Sequence, residues 1–225
     1  MSEDLQLSLN IGHNSREPFD EENLVPTQEQ QKVLQALDLF FAQQGYLQSQ
    51  FPFLIIQGEQ KSGKTHIVNI FAQKNKARLI DAKEIVKAKI PEICDGNKFV
   101  IVDNADQIQD QDDLFHIYNY CLGNEIFLLL TIVDFEVFKL ADLISRLKNV
   151  SRVYIDKPSQ DFVKILLTKG FAGKQLKIDY KIIDYLSSNI SRRYFEIDRA
   201  INKVEQLCFT NKKTLTLLDV KMIEF

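Results

Sequence analysis

The chain has 225 residues, of which 45% are hydrophobic and 26% charged, with 16 Phe, no Trp and a formal net charge of −3. This length suits one large domain, or one domain with a small appendage, and the composition is that of a globular protein. Seven acidic side chains and one basic one give residues 1–30 a net charge of −6, so the remainder carries +3. Because no basic stripe offsets this acidic segment, we expect no direct sequence-specific DNA binding.

The cysteines and the apolar runs bear on where the protein works. Cys94, Cys121 and Cys208 have neither the number nor the spacing of a disulfide framework or a metal site, so we expect reduced, buried thiols. The first residues lack the positive n-region and apolar core of a secretory signal, so we expect none. The longest apolar run, residues 126–133, is far too short to span a bilayer. The sequence therefore predicts a cytoplasmic protein without a membrane segment.

The first predicted segment, residues 1–26, is a polar and flexible arm that carries one short apolar stripe. Within the stripe, Leu5, Leu7 and Leu9 alternate with polar residues, which is the spacing of a strand. The arm holds too little apolar surface to fold alone. Without further information the stripe would be an incidental feature of a tail.

Residues 27–157 are predicted to form an α/β domain. A helix over 28–42 comes first, and apolar runs then alternate with helical stretches. Continuous apolar strands that alternate with helices indicate a parallel sheet covered on both faces. The predicted strands are residues 53–58, 77–82, 98–104, 125–133 and 151–157. The predicted helices are 64–73, one beginning at 83, 112–122 and 136–147.

The pattern changes at Pro158, where strands give way to helices. We predict three helices, over 159–169, 180–188 and 193–207, and a short closing element over 214–225. Residues 158–225 are therefore interpreted as a small helical lid. The predicted fold class is α/β: a P-loop parallel sheet flanked by helices and followed by this lid.

The strongest motif is GEQKSGKT, residues 58–65, which fits G-x-x-x-x-G-K-[ST] at every fixed position. Its glycines permit backbone angles that turn amide groups toward phosphate. Lys64 would reach the β- and γ-phosphates, and the Thr65 hydroxyl would bind Mg²⁺. The predicted strand and helix on either side argue against a chance match in a flexible loop. The predicted phosphate-binding residues are Gly58, Lys61, Ser62, Gly63, Lys64 and Thr65.

A second signal is FVIVDNAD, residues 99–106, which places Asp103 at the end of a predicted strand. A carboxylate there can hold Mg²⁺, as the Walker-B acid of P-loop proteins does; the alternative is a solvated loop aspartate. Asn104 stands where many P-loop ATPases carry a catalytic Glu. The Asn104 amide is too weak a base to activate water, and Asp106 is a weaker candidate for the catalytic base than a Glu at position 104 would be. We therefore expect little or no intrinsic ATP hydrolysis.

Two arginines complete the candidate residues. Arg146 ends the helix before the fifth predicted strand, and Arg193 begins a helix of the lid. A lone arginine is more often part of a surface salt bridge. The placement of this pair relative to the P-loop favours a functional role.

Together these motifs resemble the DnaA-related AAA+ family, and within it the short regulatory branch of the Hda type. The resemblance covers essentially the whole chain. It is carried by the two nucleotide motifs and by three further segments. The segment QDDLFHIYNYC (111–121) is similar to a Q-x-x-x-F-H-x-x-N pattern of DnaA proteins. The other two are LLLT (128–131) and DLISRL (142–147). From this resemblance we expect a protein of the short branch, which lacks the DNA-binding domain that follows the lid in DnaA.

The resemblance implies roles for further residues. It implies bound ADP or ATP with Mg²⁺, held by Thr65 and Asp103, and Thr131 near the γ-phosphate as sensor 1. Arg146 becomes an arginine finger that acts in trans. Arg193 becomes the sensor 2 arginine, with Arg192 as the competing register. Leu24 and Val25 fall where the family lines its adenine pocket.

The resemblance also explains the N-terminal stripe. Proteins of the Hda type carry a pentapeptide that docks on the DNA polymerase III sliding clamp, and Gln6, Leu7, Ser8, Leu9 and Asn10 are similar to it. The leucines would enter an apolar groove and the glutamine would set the orientation. Asn10 departs from the apolar or proline ending often found there.

The implied function is regulation of replication initiation: the clamp-bound module stimulates ATP hydrolysis by DnaA. One alternative is a DnaA-like scaffold or loader that recruits a partner to DNA without stimulating hydrolysis. Another is a self-sufficient P-loop ATPase or kinase, against which Asn104 argues. The sequence leaves open a homo-oligomer and the choice between ADP and ATP.

Overall fold

The computed structural model describes residues 28–42, 52–211 and 215–222. The predicted arm and its stripe, residues 6–10, lie outside the described residues. So do Leu24 and Val25, the predicted adenine-pocket residues. These assignments stay predictions, as do the domain boundaries.

Five parallel strands form one sheet in the order β2-β3-β4-β1-β5. The carboxyl ends of all five strands therefore meet at one edge, where the chain enters the loops that carry the predicted phosphate and Mg²⁺ ligands. This confirms the predicted parallel sheet, and the first strand has the predicted bounds. The strands are β1 Phe53–Gly58, β2 Arg78–Asp81, β3 Phe99–Asp103, β4 Phe127–Ile132 and β5 Ser151–Ile155.

Helices cover both faces of the sheet, and a helical lid follows it. The first set is α1 Gln28–Phe41, α2 Lys64–Asn75, α3 Ile90–Cys94, α4 Gln111–Gly123 and α5 Ala141–Lys148. The lid helices are α6 Gln160–Gly173, α7 Tyr180–Asn189, α8 Tyr194–Asn211 and α9 Leu217–Lys221. Apolar residues of α1 and α2 form a core with one face of the sheet, while α3, α4 and α5 cover the other.

Strand β3 explains why the apolar runs are continuous. Val100 and Val102 enter the core beneath α4, whereas Phe99 and Ile101 enter the core beneath α1 and α2. Successive side chains point to opposite faces of a strand, so a strand covered on both sides needs apolar residues at every position. The lid helices bury a third apolar core of their own.

Two predicted helices begin later than the sequence suggested. No continuous helix begins at residue 83: two single 3₁₀ turns, 82–84 and 87–89, precede the short helix α3. The Asp81 carboxylate caps the first turn by accepting from the Lys83 amide at 2.9 Å. Pro91 sits in the first turn of α3, where a residue without an N–H is tolerated.

The helix predicted over 136–147 is α5, which begins at Ala141. Residues 135–137 form a 3₁₀ turn capped by Asp134. The Gln111 side chain then holds the next residues in a non-helical path, because its Oε1 accepts from the Lys139 and Leu140 amides at 2.7 and 3.0 Å. A tertiary contact therefore overrides the local preference for helix.

Cys94 and Cys121 are free, fully buried thiols whose Sγ atoms lie 3.8 Å apart, and Cys208 is a partly exposed free thiol. Cys208 departs in this respect from the expected burial. Within the described part of the chain, no helix has the length and apolar character needed to cross a bilayer.

Candidate nucleotide-binding site

The predicted phosphate loop connects β1 to α2, and both of its glycines are structurally required. A Cβ at Gly58 would lie 2.8 Å from the Ser62 Oγ and 3.0 Å from the Ile155 Cβ, so no larger residue fits without displacement. Gly63 has a φ of 91°, a conformation that side-chain-bearing residues rarely adopt. The motif therefore has the backbone shape that its sequence predicts.

The loop encloses an open cavity of about 420 Å³, which lies within the size range of small-ligand pockets. Its wall includes the first turn of α2, whose amide groups have no partner within the helix. Such groups and the helix dipole favour an anion. The cavity is lined by Gln60, Lys61, Ser62, Gly63, Lys64, Thr65, His66, Asn104, Gln107 and Val133. Its shape and its donors fit a phosphate chain.

Lys64 is 5% exposed and is held by the loop itself. Its Nζ donates to the backbone oxygens of Gly58 at 2.8 Å and Glu59 at 2.9 Å. Burial lowers the pKa of Lys64, while the negative charges of Asp106 and Asp103 oppose that shift. The ammonium is thus positioned beside the cavity with little water to stabilise its charge.

Asp103 links three elements at the carboxyl edge of the sheet. Its Oδ2 accepts from the Thr65 hydroxyl at 2.7 Å, and its Oδ1 accepts a short hydrogen bond from the Thr131 hydroxyl. Asp103 and Thr131 are 5% and 0% exposed. Helix α2 and strands β3 and β4 are thereby tied together at Asp103.

The donor set fits Mg²⁺ only in part. The Thr65 hydroxyl and the Asp103 carboxylate are the hard oxygen ligands that this ion takes, usually together with waters and substrate phosphates. Among the described residues, no group of three or more His, Cys, Asp or Glu side chains could hold a metal by itself. Phosphate oxygens would therefore have to complete the coordination.

Asn104 occupies the position at which a catalytic carboxylate would be expected, and its side chain acts as a hydrogen-bond donor. It has the left-handed angles φ 55° and ψ 44°, which asparagine tolerates better than most residues. Its side-chain Nδ2 donates to Asp81 Oδ2 at 3.0 Å and to Asp103 Oδ2 at 3.4 Å, and its backbone N–H donates to Thr131 Oγ1 at 2.9 Å. Position 104 supplies no base.

Asp106, the weaker candidate base, is engaged in positioning. Its Oδ2 accepts from the backbone amides of Val133 at 3.1 Å and Asp134 at 3.4 Å. Its Oδ1 is buried and has no partner among the residues that the structure describes. The side chain therefore fixes the loop that follows β4, next to Thr131.

Lid helix α8 and the residue directly before it, Arg193, meet the phosphate loop through two ion pairs of opposite polarity. Arg193 Nε lies 3.4 Å from Glu59 Oε1, and Lys61 Nζ lies 3.6 Å from Asp198 Oδ2. Within the described part of the chain, Arg192 makes no hydrogen bond or ion pair. Of the two competing arginines, it is Arg193 that contacts the loop.

Arg146 lies elsewhere, half-buried between α5 and α4. Its guanidinium carbon is 5.1 Å from the centre of the Phe115 ring and 5.7 Å from that of Tyr118. The Tyr118 ring packs edge-on against Phe53, with 4.6 Å between centres. Phe53 begins β1 and Gly58 ends it, so the amino ends of the strands lie about 16 Å from their carboxyl ends. Arg146 is therefore remote from the phosphate loop of its own chain.

Several residues of this geometry were missed by the sequence analysis. Asp81 and Gln111 gave no separate signal, because their partners Asn104 and Leu140 come from other elements. Glu59 could have been noticed, since an acidic residue inside a phosphate-binding loop is unexpected. Phe115 lies in the segment 111–121, but its contact with Arg146 could not be predicted from sequence spacing.

Comparison with known proteins identifies the fold. Neither a protein-family model nor a curated protein matches the sequence. Domain III of the replication initiation protein DnaA from Thermotoga maritima superposes with a TM-score of 0.69 at 16% identity, covering 91% of this chain and 94% of that one. This chain has the DnaA-like AAA+ fold. The predicted fold class is thus confirmed.

Two longer chains share the same AAA+ core. A DNA replication initiation factor matches with a TM-score of 0.66 at 17% identity over 84% of this chain. DnaA from Aquifex aeolicus bound to AMPPCP matches with a TM-score of 0.61 at 18% identity, also over 84%. The present chain spans 64% and 65% of their lengths. At such identities the likeness concerns the fold alone.

Proposed function

We propose that this AAA+ module regulates the initiation of bacterial chromosome replication by binding an adenine nucleotide and stimulating ATP hydrolysis by DnaA. The observation that carries the proposal is the separation of its two sites. The phosphate loop lies at the carboxyl ends of the strands, whereas Arg146 lies near their amino ends. An arginine so far from its own loop can serve the nucleotide of a neighbouring molecule.

The nucleotide would be ADP or ATP, with its phosphates in the loop of Gly58, Lys61, Ser62, Gly63 and Lys64. Mg²⁺, held by Thr65 and Asp103, would neutralise phosphate charge when bound. Thr131 orients Asp103, and Arg193 closes the lid side. These residues bind and orient; none of them is placed to take a proton from water.

Asn104 supports a binding role over a catalytic one. Its amide is committed as a donor to two carboxylates. Asp106 Oδ2 is committed to backbone amides, and Asp106 Oδ1 is buried away from solvent. General-base catalysis needs an acceptor within reach of the attacking water. We therefore infer weak or absent intrinsic ATPase activity, so that the protein works mainly in trans.

The surroundings of Arg146 suit it to present its charge to a partner. Its guanidinium carbon lies over two aromatic rings, and within the described residues its side chain donates no hydrogen bond and forms no ion pair, so its N–H groups remain for a partner. An arginine supplied in trans stabilises the charge of phosphoryl transfer and can raise hydrolysis by ~10³–10⁵. Regulation then amounts to conversion of DnaA from its ATP form to its ADP form.

Residues 6–10 would couple this activity to replication by docking on the DNA polymerase III sliding clamp. Strand-like peptides of this kind bind by main-chain hydrogen bonds and alternate side-chain pockets. Removing residues 1–10 should abolish clamp binding while leaving nucleotide affinity unchanged. Loss of both would contradict a separate docking arm.

A second candidate is the scaffold or loader that recruits a partner without stimulating hydrolysis. It is favoured by the same contact, because a guanidinium that lies near two aromatic rings can serve structure alone. The two candidates differ in whether a change at the Arg146 guanidinium alters ATP hydrolysis by DnaA.

The deciding experiment measures DnaA ATP turnover with clamp and DNA present. Arg146→Lys retains a cation near the rings but loses the planar fork, and Arg146→Ala loses both. We expect the stimulation of DnaA ATP turnover to fall at least tenfold in both variants, because the planar guanidinium stabilises the charge of the transition state. Lys148→Ala, an exposed change in the same helix, is the control. Unchanged turnover with Arg146→Ala would overturn the proposal and leave the scaffold.

A further inference from the structure

Glu59 stands between the two cations of the nucleotide site. Its backbone oxygen accepts from Lys64 Nζ at 2.9 Å, and its side-chain Oε1 lies 3.4 Å from Arg193 Nε. The other carboxylate oxygen, Oε2, is buried and has no partner among the described residues. A single acidic residue of the loop is therefore in contact with both groups that would meet a phosphate chain.

The position of Lys64 indicates which end of the nucleotide Glu59 would face. A P-loop lysine reaches the β- and γ-phosphates, so the residue at its Nζ lies beside the terminal phosphates. A diphosphate ends at the β-phosphate. A triphosphate adds another phosphate and its negative charge at this end of the loop. The Glu59 carboxylate is paired with Arg193 and is not part of the cavity lining, so its charge would act on that phosphate across the loop and through Arg193.

We propose that Glu59 is a specificity-determining residue that favours a nucleoside diphosphate over a triphosphate. It does so in two ways: its charge repels a third phosphate, and its ion pair occupies Arg193. The inference rests on the proposed function in one respect, namely that the loop binds an adenine nucleotide.

A purely mechanical role for Glu59 has a different signature. The Lys61–Asp198 pair joins the same loop to α8, which begins directly after Arg193, so the lid contact does not depend on Glu59 alone. If Glu59 only clamped the lid, its loss would weaken both nucleotides by the same factor. A selectivity role changes the ratio of the two affinities.

The experiment is calorimetric titration of the full chain with ADP and with AMPPCP, each with Mg²⁺. Glu59→Gln removes the charge at nearly constant size. We expect it to raise the affinity for AMPPCP relative to ADP by about three- to tenfold. Glu59→Asp keeps the charge and should retain most of the wild-type preference.

The matched control is Glu205→Gln. Glu205 pairs with Lys174 within the lid, and it lies roughly three turns or 18 Å along α8 from Arg193. This change removes the same charge and one lid ion pair, yet it should leave the affinity ratio unchanged. Binding of ADP also reports that each variant is folded.

Arg193→Ala tests the coupling. In that background Glu59→Gln should change the ratio by a smaller factor than in the wild type, because no arginine is left to occupy. An unchanged ratio in Glu59→Gln, or an equal loss for both nucleotides, would overturn the inference and leave the proposed function intact. Failure of the wild type to bind either nucleotide would instead overturn the proposed function, and this inference with it.

Discussion

The guanidinium carbon of Arg146 lies 5.1 Å from the centre of the Phe115 ring, so helix α4 sets the position of the candidate arginine finger. The same helix begins with Gln111, whose side chain fixes the loop that leads into α5. One helix thus controls both where α5 begins and where its arginine lies.

Replacing Phe115 tests this positioning. Phe115→Leu should reduce stimulation of DnaA hydrolysis by about two- to thirtyfold, the range that loss of a cation–π contact allows. Phe115→Tyr keeps the aromatic face and should restore most of the activity. The measurement is DnaA turnover over a range of module concentrations. A change only in the half-saturating concentration would indicate a docking role instead.

Gln111 should matter for stability. Its side chain makes three hydrogen bonds to backbone groups: it accepts from the Lys139 and Leu140 amides and donates to the Val137 oxygen at 3.0 Å. Gln111→Ala should lower the free energy of unfolding by about 1–3 kcal/mol, because these groups lose partners. Urea denaturation measures the change, with Gln109→Ala, an exposed neighbour, as the control. Equal stability of the two variants would contradict the assignment.

Asn104 offers a test of the donor network. Asn104→Asp places a third carboxylate against Asp81 and Asp103 and removes the donor to both. We expect a loss of about 1–3 kcal/mol in the free energy of unfolding at neutral pH. Adding Asp81→Asn returns an amide to the pair and should recover part of that loss. If the double variant is less stable than Asn104→Asp alone, the proposed pairing is wrong.

The lowered pKa of Lys64 predicts a pH dependence of nucleotide affinity. The ammonium should lose its proton below the usual value of 10.5, because burial disfavours the charge. Affinity for ADP should therefore decline as pH rises through that lowered pKa. Calorimetry from neutral to alkaline pH measures the decline. Lys64→Met should bind more weakly throughout and lack this part of the dependence.

Stability without nucleotide should respond in the opposite sense. Below the lowered pKa the folded protein holds a buried ammonium that the unfolded chain leaves in water, which is a cost. That cost should disappear as pH rises from the lowered folded pKa toward 10.5. Across this pH window the free energy of unfolding of the wild type should therefore increase relative to that of Lys64→Met. A difference between the two free energies that stays constant with pH would contradict the lowered pKa.

The sequence by itself determined the parallel sheet and the phosphate loop. Runs such as residues 53–56 are apolar at every position and are buried on both faces of the sheet, and that pattern is local. The loop is local too: Gly58, Gly63 and Lys64 act through the backbone shape of one turn. These features could be predicted without knowing any long-range contact.

Only the tertiary structure decided which distant groups meet. The strand order brings Asp81 to Asn104 and Thr131 to Asp103, and it separates Arg146 from the loop of its own chain. Glu59 and Arg193 meet across 134 residues, and the packing of the lid brings Arg193, not Arg192, into contact with the loop. The physical reason is that periodicity encodes burial within an element, whereas the pairing of charges depends on how crossover connections bring elements together.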